Sequence, residues 1–387
     1  MRVKIEKLDS FGRGITYLNN RICFVENALP GEIVDIDIIK EKSKYIEAKV
    51  VSIIEPSKDR IKVDCPYYDL CGGCSLRHLS YEKENLFKEE KVKDLLNHIG
   101  KLNVKVNSII SGPENNYRNK VTFHKSKGKI GYFAKGTKNI IPIDNCLLLD
   151  KVINNNIKNI KADSNEIVIR SSNDSSEVLM NGNNSIITSI GDKKYYLSKD
   201  SFFQVNKYLT KELYDLVRKA INKPYKTCLD LYCGTGTIGI YISDLVDSVI
   251  GIDYSESNIK DANRNIELNN TNNISFICDK VENKIDTFKD VNLVIIDPPR
   301  AGCTSAFLSN IMRLNPKIII YISCFPETLS RDISKLKFLY DIKTIQPIDM
   351  FPGTTHVETV CCLYHQKKDF ISVPYEPKDA EYLKQDN

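Results

Sequence analysis

From about residue 200 onward, short apolar runs alternate with helical segments, and the first run ends in a glycine-rich turn. No other feature of the chain narrows so far what it can fold into. The runs fall at 227–232, 248–253, Ile274–Cys278, 291–296 and 317–322, with helical segments such as 255–269 and 327–337 between them. In the latter, Leu329, Ile333 and Leu336 recur at helical spacing. Strands alternating with helices predict an α/β fold, a doubly wound parallel sheet. Two last strands, near 342–348 and 357–364, have no helix between them and are expected to close the sheet as an antiparallel pair.

The turn reads Asp230-Leu-Tyr-Cys-Gly-Thr-Gly-Thr-Ile-Gly239, so Gly234, Gly236 and Gly239 match the dinucleotide fingerprint G-x-G-x-x-G. Asp253 ends the next strand, at the distance expected of a ribose-binding carboxylate. Turn and carboxylate fit NAD or S-adenosylmethionine equally well. Two features favour the methyl donor. Asp230 stands where it can order the turn or meet the donor's ammonium group. The fourth strand ends in Asp297-Pro-Pro-Arg300, a rigid turn at the sheet's carboxyl edge, where ligands bind.

The chain has 387 residues, too many for one typical core, so two or three domains are expected. Residues 1–56 alternate apolar and polar in short stretches with turns at Phe11-Gly-Arg-Gly14 and Leu29-Pro-Gly31, the pattern of a small β-barrel. Arg13, Arg21, Lys40, Lys42 and Lys44 punctuate it, which suits RNA and equally suits any solvated barrel face. Residues 57–200 form a central region that opens with clustered cysteines and includes Asn-rich turns expected as loops at 153–165 and 181–184. Within it, 80–99 is expected as an amphipathic helix capped by Ser80, with Val92, Leu95, Leu96 and Ile99 on its core face. Residues 201–371 hold the strand–helix alternation, and a polar tail from 372 is expected to be loose. Mean hydropathy of −0.30, no membrane-length apolar run and no apolar leader predict a cytoplasmic protein. The 12 cysteines are therefore expected as thiols or metal ligands. A net charge of +5 permits a polyanionic partner without requiring one.

Cys324 follows the fifth strand and precedes Pro326, which suits the first position of a helix. A helix start is expected to favour the thiolate. Glu358 lies further on, in the run His356-Val-Glu358. Carbon 5 of uracil is a poor nucleophile. Thiolate addition at carbon 6 makes an enolate that can take a methyl group, and a base must then remove the carbon 5 proton so that the thiol can leave. Cys324 and Glu358 suit the two tasks, though either residue taken alone could be an inert core thiol or a solvated acid.

At these residues the chain resembles the bacterial RNA uracil-5-methyltransferases, in particular the iron–sulfur-containing 23S rRNA branch. The resemblance runs through Phe11-Gly-Arg-Gly14 to Glu32 (similar to the small RNA-binding TRAM barrel), the cysteine cluster and Phe202-Phe-Gln-Val-Asn206. It continues through Asp230 to Gly236, Asp297-Pro-Pro-Arg-Ala-Gly302, Ser323-Cys324 and His356-Val-Glu358. It implies a class I methyltransferase domain, Cys324 as nucleophile and Glu358 as base. Gln204, Tyr232, Asp253 and Asp297 would line the S-adenosylmethionine site, with Asp297 also near the uracil edge and Asp279 near the adenine. Helix 80–99 would pack on the methyltransferase domain. The implied product is 5-methyluridine in 23S rRNA; tRNA as substrate and a non-catalytic RNA-binding or ribosome assembly factor stay open as alternatives. No membrane or obligate protein partner is expected.

Cys65, Cys71 and Cys74 are spaced C-x5-C-x2-C in a loop tightened by Pro66 and Gly72-Gly73, with Cys146 as the fourth ligand. Four thiolates can hold zinc or a [4Fe–4S] cluster, and the resemblance favours the cluster. Two positions depart from the family. Phe325 follows the nucleophile where Asn is usual, losing a side-chain cap worth about 1 kcal/mol. Asp253 replaces a more common Glu. Arg300 stands where amino-group methyltransferases need an aromatic residue, which disfavours that chemistry.

Overall fold

The apolar runs after residue 200 become seven strands of one sheet. We number them β1 to β7: Tyr225–Leu231, Val246–Asp253, Ile274–Cys278, Leu293–Ile296, Ile318–Ser323, Tyr340–Ile348 and Glu358–His365. In the computed structural model, which describes residues 1–160, 164–180 and 185–366, their order is β3-β2-β1-β4-β5-β7-β6. Strands β1 to β5 pair in parallel. Only β7 runs the other way, antiparallel to both β5 and β6. The last two strands thus pair as the sequence predicts, but β7 inserts between β5 and β6 instead of adding at the edge. The insertion carries Glu358 beside the end of β5, next to Cys324.

Every residue of β4 and β5 is buried, because helices cover both faces of the sheet. On one face pack Leu213, Tyr214 and Val217 of the helix Thr210–Ala220, with Ile186, Ile190, Tyr195 and Leu197 of a two-stranded hairpin. On the other pack Phe307 and Ile311 of the helix Ser305–Leu314, Leu329 and Ile333 of Pro326–Leu336, and Val92 and Leu96 of Tyr81–His98. This last helix, expected over 80–99, differs from the expectation in two ways. Ser80 occupies its N-cap position but makes no side-chain capping bond. Ile99 is 45% exposed; the buried stripe runs instead through Glu84, Lys88, Val92 and Leu96. Two charged residues lie where apolar ones were expected.

The first six strands form a separate barrel. The stretch Arg2 to Leu8 pairs at one end with the strand Ile33–Glu41 and at the other with Gly14–Leu18, so the sheet closes on itself around Val25, Val34, Ile36 and Ile46. The central region contributes a five-stranded antiparallel sheet built on Lys120–Ser126 and Glu166–Ser171. The Asn-rich stretch from 153 starts as helix, not loop. Asp150 caps the helix Lys151–Asn156 by accepting from the Val152 amide at 3.0 Å, and a single 3-10 turn, Ile157–Asn159, follows. Residues 161–163 of that stretch, the Asn-rich turn at 181–184 and the expected tail from 372 lie outside the described residues. Among the described residues no helix is long and apolar enough to cross a membrane.

Candidate active site

The turn after β1 is held by its own carboxylates. Gly236 has φ of 74° and caps the short helix Thr237–Tyr241. A Cβ there would stand 2.2 Å from the Phe276 ring, so only glycine fits. Asp230 accepts the Gly239 amide through Oδ2 at 2.9 Å. Its Oδ1 is buried with no partner, and burial pushes the carboxyl up to about 7. An unpartnered buried acceptor beside a glycine turn fits a ligand that carries an ammonium group.

Asp253 is more committed than the sequence suggested. Its Oδ2 accepts from the Gly234 amide at 3.0 Å, and its Oδ1 from the Ser255 amide at 2.9 Å and the Asn258 Nδ2 at 3.1 Å. Lone pairs remain, chiefly on Oδ2, so it orders the turn first and has capacity left for a ribose hydroxyl. Tyr232, in the left-handed region at φ 61°, donates its hydroxyl to Glu282 at 3.0 Å and meets Phe307 edge-on. Asp279 accepts from the Lys280 amide at 2.7 Å and from the Asn283 Nδ2 at 2.9 Å, ordering the start of the next short helix. Gln204 is buried in the Phe202–Asn206 segment. That segment is tied to the turn by Thr235, whose hydroxyl donates to the Phe202 carbonyl, and by Asn258, which accepts from the Phe202 amide.

Cys324, Asp297 and Glu358 come together where β5 and β4 end and β7 begins. Pro326 opens the helix Pro326–Leu336, as expected, and Phe325 takes the N-cap position without a side-chain bond. The thiol is not the anion that a helix start predicts. Burial, then Glu358 and Asp297, push Cys324 up to about 11, against the charge and hydrogen bond of Arg300. The helix end contributes only fractions of a kcal/mol to about 2, which is less than burial beside two carboxyls costs. Glu358 is 3% exposed with Oε1 unpartnered; burial and Asp297 hold it well above the carboxylate range. Burial raises Asp297 to about 7. His356 lies 3.5 Å from Arg300, and burial with that guanidinium lowers it to about 4, so the imidazole is neutral.

A cavity of about 400 Å³ adjoins this cluster, lined by Cys65, Cys71, Cys74 and Cys146 together with Arg118, Arg300 and His356. The chain from 65 to 74 and the turn at 146 therefore meet across one space. Burial, and each other's charge, raise Cys71, Cys74 and Cys146, with Cys74 at about 12. Three thiols that resist ionising, gathered with Cys65 around one cavity, match in kind a ligand set for a cation that would supply the missing positive charge. No three of these side chains, nor any other His, Cys, Asp or Glu group among the described residues, close to metal-holding geometry. Sequence reasoning missed Asn154. Its Oδ1 accepts the Cys146 amide at 2.9 Å and its Nδ2 donates to the Cys146 carbonyl at 2.9 Å. The i+8 spacing was the only sequence signal.

The family described as tRNA (uracil-5-)-methyltransferase matches residues 166–367, and the TRAM domain matches residues 1–51. An uncharacterized RNA methyltransferase of Clostridium tetani is 32% identical, over 92% of this chain and 95% of its own length. One from Halalkalibacterium halodurans is 30% identical, over 94% and 96%. Among solved structures, the Pyrococcus abyssi tRNA (uracil-54, C5)-methyltransferase in complex with S-adenosyl-L-homocysteine has a TM-score of 0.77 and 26% identity. It covers 94% of this chain and 100% of its own.

Proposed function

Because the chain belongs to the tRNA (uracil-5-)-methyltransferase family, we propose that it methylates carbon 5 of a uridine through a covalent adduct on Cys324. Family and fold make it an RNA methyltransferase with a class I S-adenosylmethionine domain and a TRAM barrel, and the non-catalytic alternative is set aside. The observation that carries the mechanism is the meeting of Cys324 with the raised carboxyls of Asp297 and Glu358.

Asp297 takes the thiol proton, and sulfur adds to carbon 6 of the uracil. S-adenosylmethionine supplies the methyl group that carbon 5 then takes. Glu358 in its ionised form removes the carbon 5 proton, the ring double bond reforms, and the sulfur leaves and regains its proton from Asp297. Gln204, Tyr232, Asp253 and Asp297 serve the donor side, and the unpartnered Asp230 Oδ1 is the acceptor for its ammonium group. Cys65, Cys71, Cys74 and Cys146 would hold a [4Fe–4S] cluster, in a structural or RNA-positioning role, since no step transfers an electron.

On the cysteine set we read the substrate as 23S rRNA. The Pyrococcus abyssi tRNA enzyme favours tRNA as the second reading. Methyl-labelled donor, offered with unmodified rRNA and tRNA and followed by nucleoside digestion, separates the two. Label is expected in 5-methyluridine of the rRNA and absent with Cys324→Ala. Label in tRNA alone overturns the rRNA reading; retained turnover in Cys324→Ala overturns the covalent route.

A further inference from the structure

Lys88 sits at the middle of the helix Tyr81–His98 with its side chain fully buried. Its ammonium group donates to Glu84 Oε1 at 2.6 Å, to Asp349 Oδ1 at 2.6 Å and to the Phe351 carbonyl at 3.2 Å. One carboxylate comes from its own helix. The other partners lie more than 260 residues further along the chain, in the connection between β6 and β7. A lysine is almost never fully buried unless paired, and burying one costs several kcal/mol before its partners compensate. An apolar residue would serve helix packing alone at less cost.

The connection it grips ends at the base. Asp349 directly follows Ile348, which stands opposite Glu358 in the β6–β7 register. Between them the backbone is fastened at nearly every residue. The Asp349 amide donates to the Ile110 carbonyl at 2.8 Å. The Met350 carbonyl accepts from Asn206 and the Pro352 carbonyl from the Tyr117 hydroxyl. The Gly353 amide donates at 2.8 Å to the same Glu84 oxygen that holds Lys88, and its carbonyl accepts from Ser75 and Leu76. Gly353 adopts φ of 79°, and an added Cβ would crowd Arg77 at 3.2 Å. Lys88 and Glu84 thus tie the helix to the connection that carries Glu358, and that connection is tied in turn through Gly353 to the segment that follows Cys74.

From this geometry we infer that Lys88 is a positioning residue for the Glu358 carboxylate, acting through the 349–357 connection; the inference rests on Glu358 being the base. Glu358 makes no bond through Oε1 to hold itself, so its place depends on the backbone that delivers it. Misplacing a catalytic group by about 1 Å can slow its step roughly a hundredfold.

The test compares wild type, Glu358→Gln, Lys88→Met and Asp349→Asn with methyl-labelled donor and substrate RNA. Formation and resolution of the labelled protein–RNA adduct are followed separately in a single turnover, and S-adenosylhomocysteine affinity is measured alongside. Lys88→Met is expected to form adduct at near the wild-type rate and to resolve it roughly 10- to 100-fold more slowly, so that label accumulates on the protein. Donor-product affinity should not move. Where Lys88→Met does not fold, Asp349→Asn serves, since it keeps an acceptor for the ammonium and removes one charge; a smaller slowing of the same step is expected. Equal slowing of formation and resolution, or resolution at the wild-type rate, overturns the role of Lys88. If Glu358→Gln itself traps no labelled adduct, the base assignment falls and the inference falls with it. Trapping in Glu358→Gln with normal resolution in both other variants condemns only the inference.

Discussion

Among the buried carboxyls of the described residues, two groups differ in whether a cation sits among them. Glu84 and Asp349 enclose Lys88 at 2.6 Å each. Asp230, Asp297 and Glu358 make no ion pair among the described residues, and Asp230 and Glu358 each keep an oxygen without a partner. Burial raises acids in both places, Glu84 to about 6 among them, but only the Lys88 group is ion-paired. Around Lys88 the ion pairs fix a backbone. Around Cys324 no cation pairs with the carboxyls, so burial pushes Asp230 and Asp297 up to about 7 and holds Glu358 well above the carboxylate range, where such acids can exchange protons near neutrality. The first group is built to hold and the second to react.

The sharpest way to break that comparison is Glu358→Gln. Turnover should fall roughly a thousandfold, in the range removal of a general base costs, while labelled protein–RNA adduct accumulates. The fold should not suffer, because an unpaired buried acid has been removed; a melting temperature well below wild type would mean Glu358 is structural after all. The opposite outcome is expected of the paired group. Lys88→Ala leaves two buried carboxyls facing each other, and removing one partner of such a cluster typically costs about 3–5 kcal/mol. Chemical denaturation at neutral pH measures it, and a loss near zero would mean that water already compensates these acids.

Asp230→Asn tests the unpaired group through pH. The folded carboxyl is raised from an ordinary 3.8 to about 7. Its contribution to stability is full below the lower value and disappears as pH rises through the upper one. Above that point wild type buries a charge that asparagine lacks, while the asparagine oxygen can still accept from Gly239. The variant should therefore gain on wild type as pH rises from about 5 to about 8.5, by on the order of 2 kcal/mol. A difference that does not change with pH would show Asp230 ionised in the fold throughout.

What the sequence made legible was local. The glycine turn, the strands and the helix opened by Pro326 each declare themselves within ten or so residues, and β1 to β5 follow in order. The insertion of β7 was not legible, since period-2 alternation is the same at a sheet edge as inside it. Nor were the roles of the charges. Asp253 was read as a free ribose ligand because spacing locates a carboxylate but not the amides that occupy it. Lys88 falls on the core face of the wheel but was passed over because its charge reads as a solvent residue, and its partner Asp349 is 261 residues away in the chain. The thiolate expected at Cys324 failed for the same reason: the helix start is visible in Cys324-Phe-Pro326, the buried acids around it are not.

Phe325→Asn separates these two influences on the thiol. At the N-cap, asparagine can accept a bond from the first turn of Pro326–Leu336, which phenylalanine cannot make, so the variant should be about 1 kcal/mol more stable. If the helix start governed Cys324, the better-capped helix would shift its alkylation profile to lower pH. Burial beside Glu358 and Asp297 is the larger effect, so the midpoint should stay near that of wild type, close to 11. A shift of a full unit downward would show that the helix, not the buried acids, sets the reactivity of the proposed nucleophile, and the contrast between paired and unpaired carboxyls would then lose its bearing on catalysis.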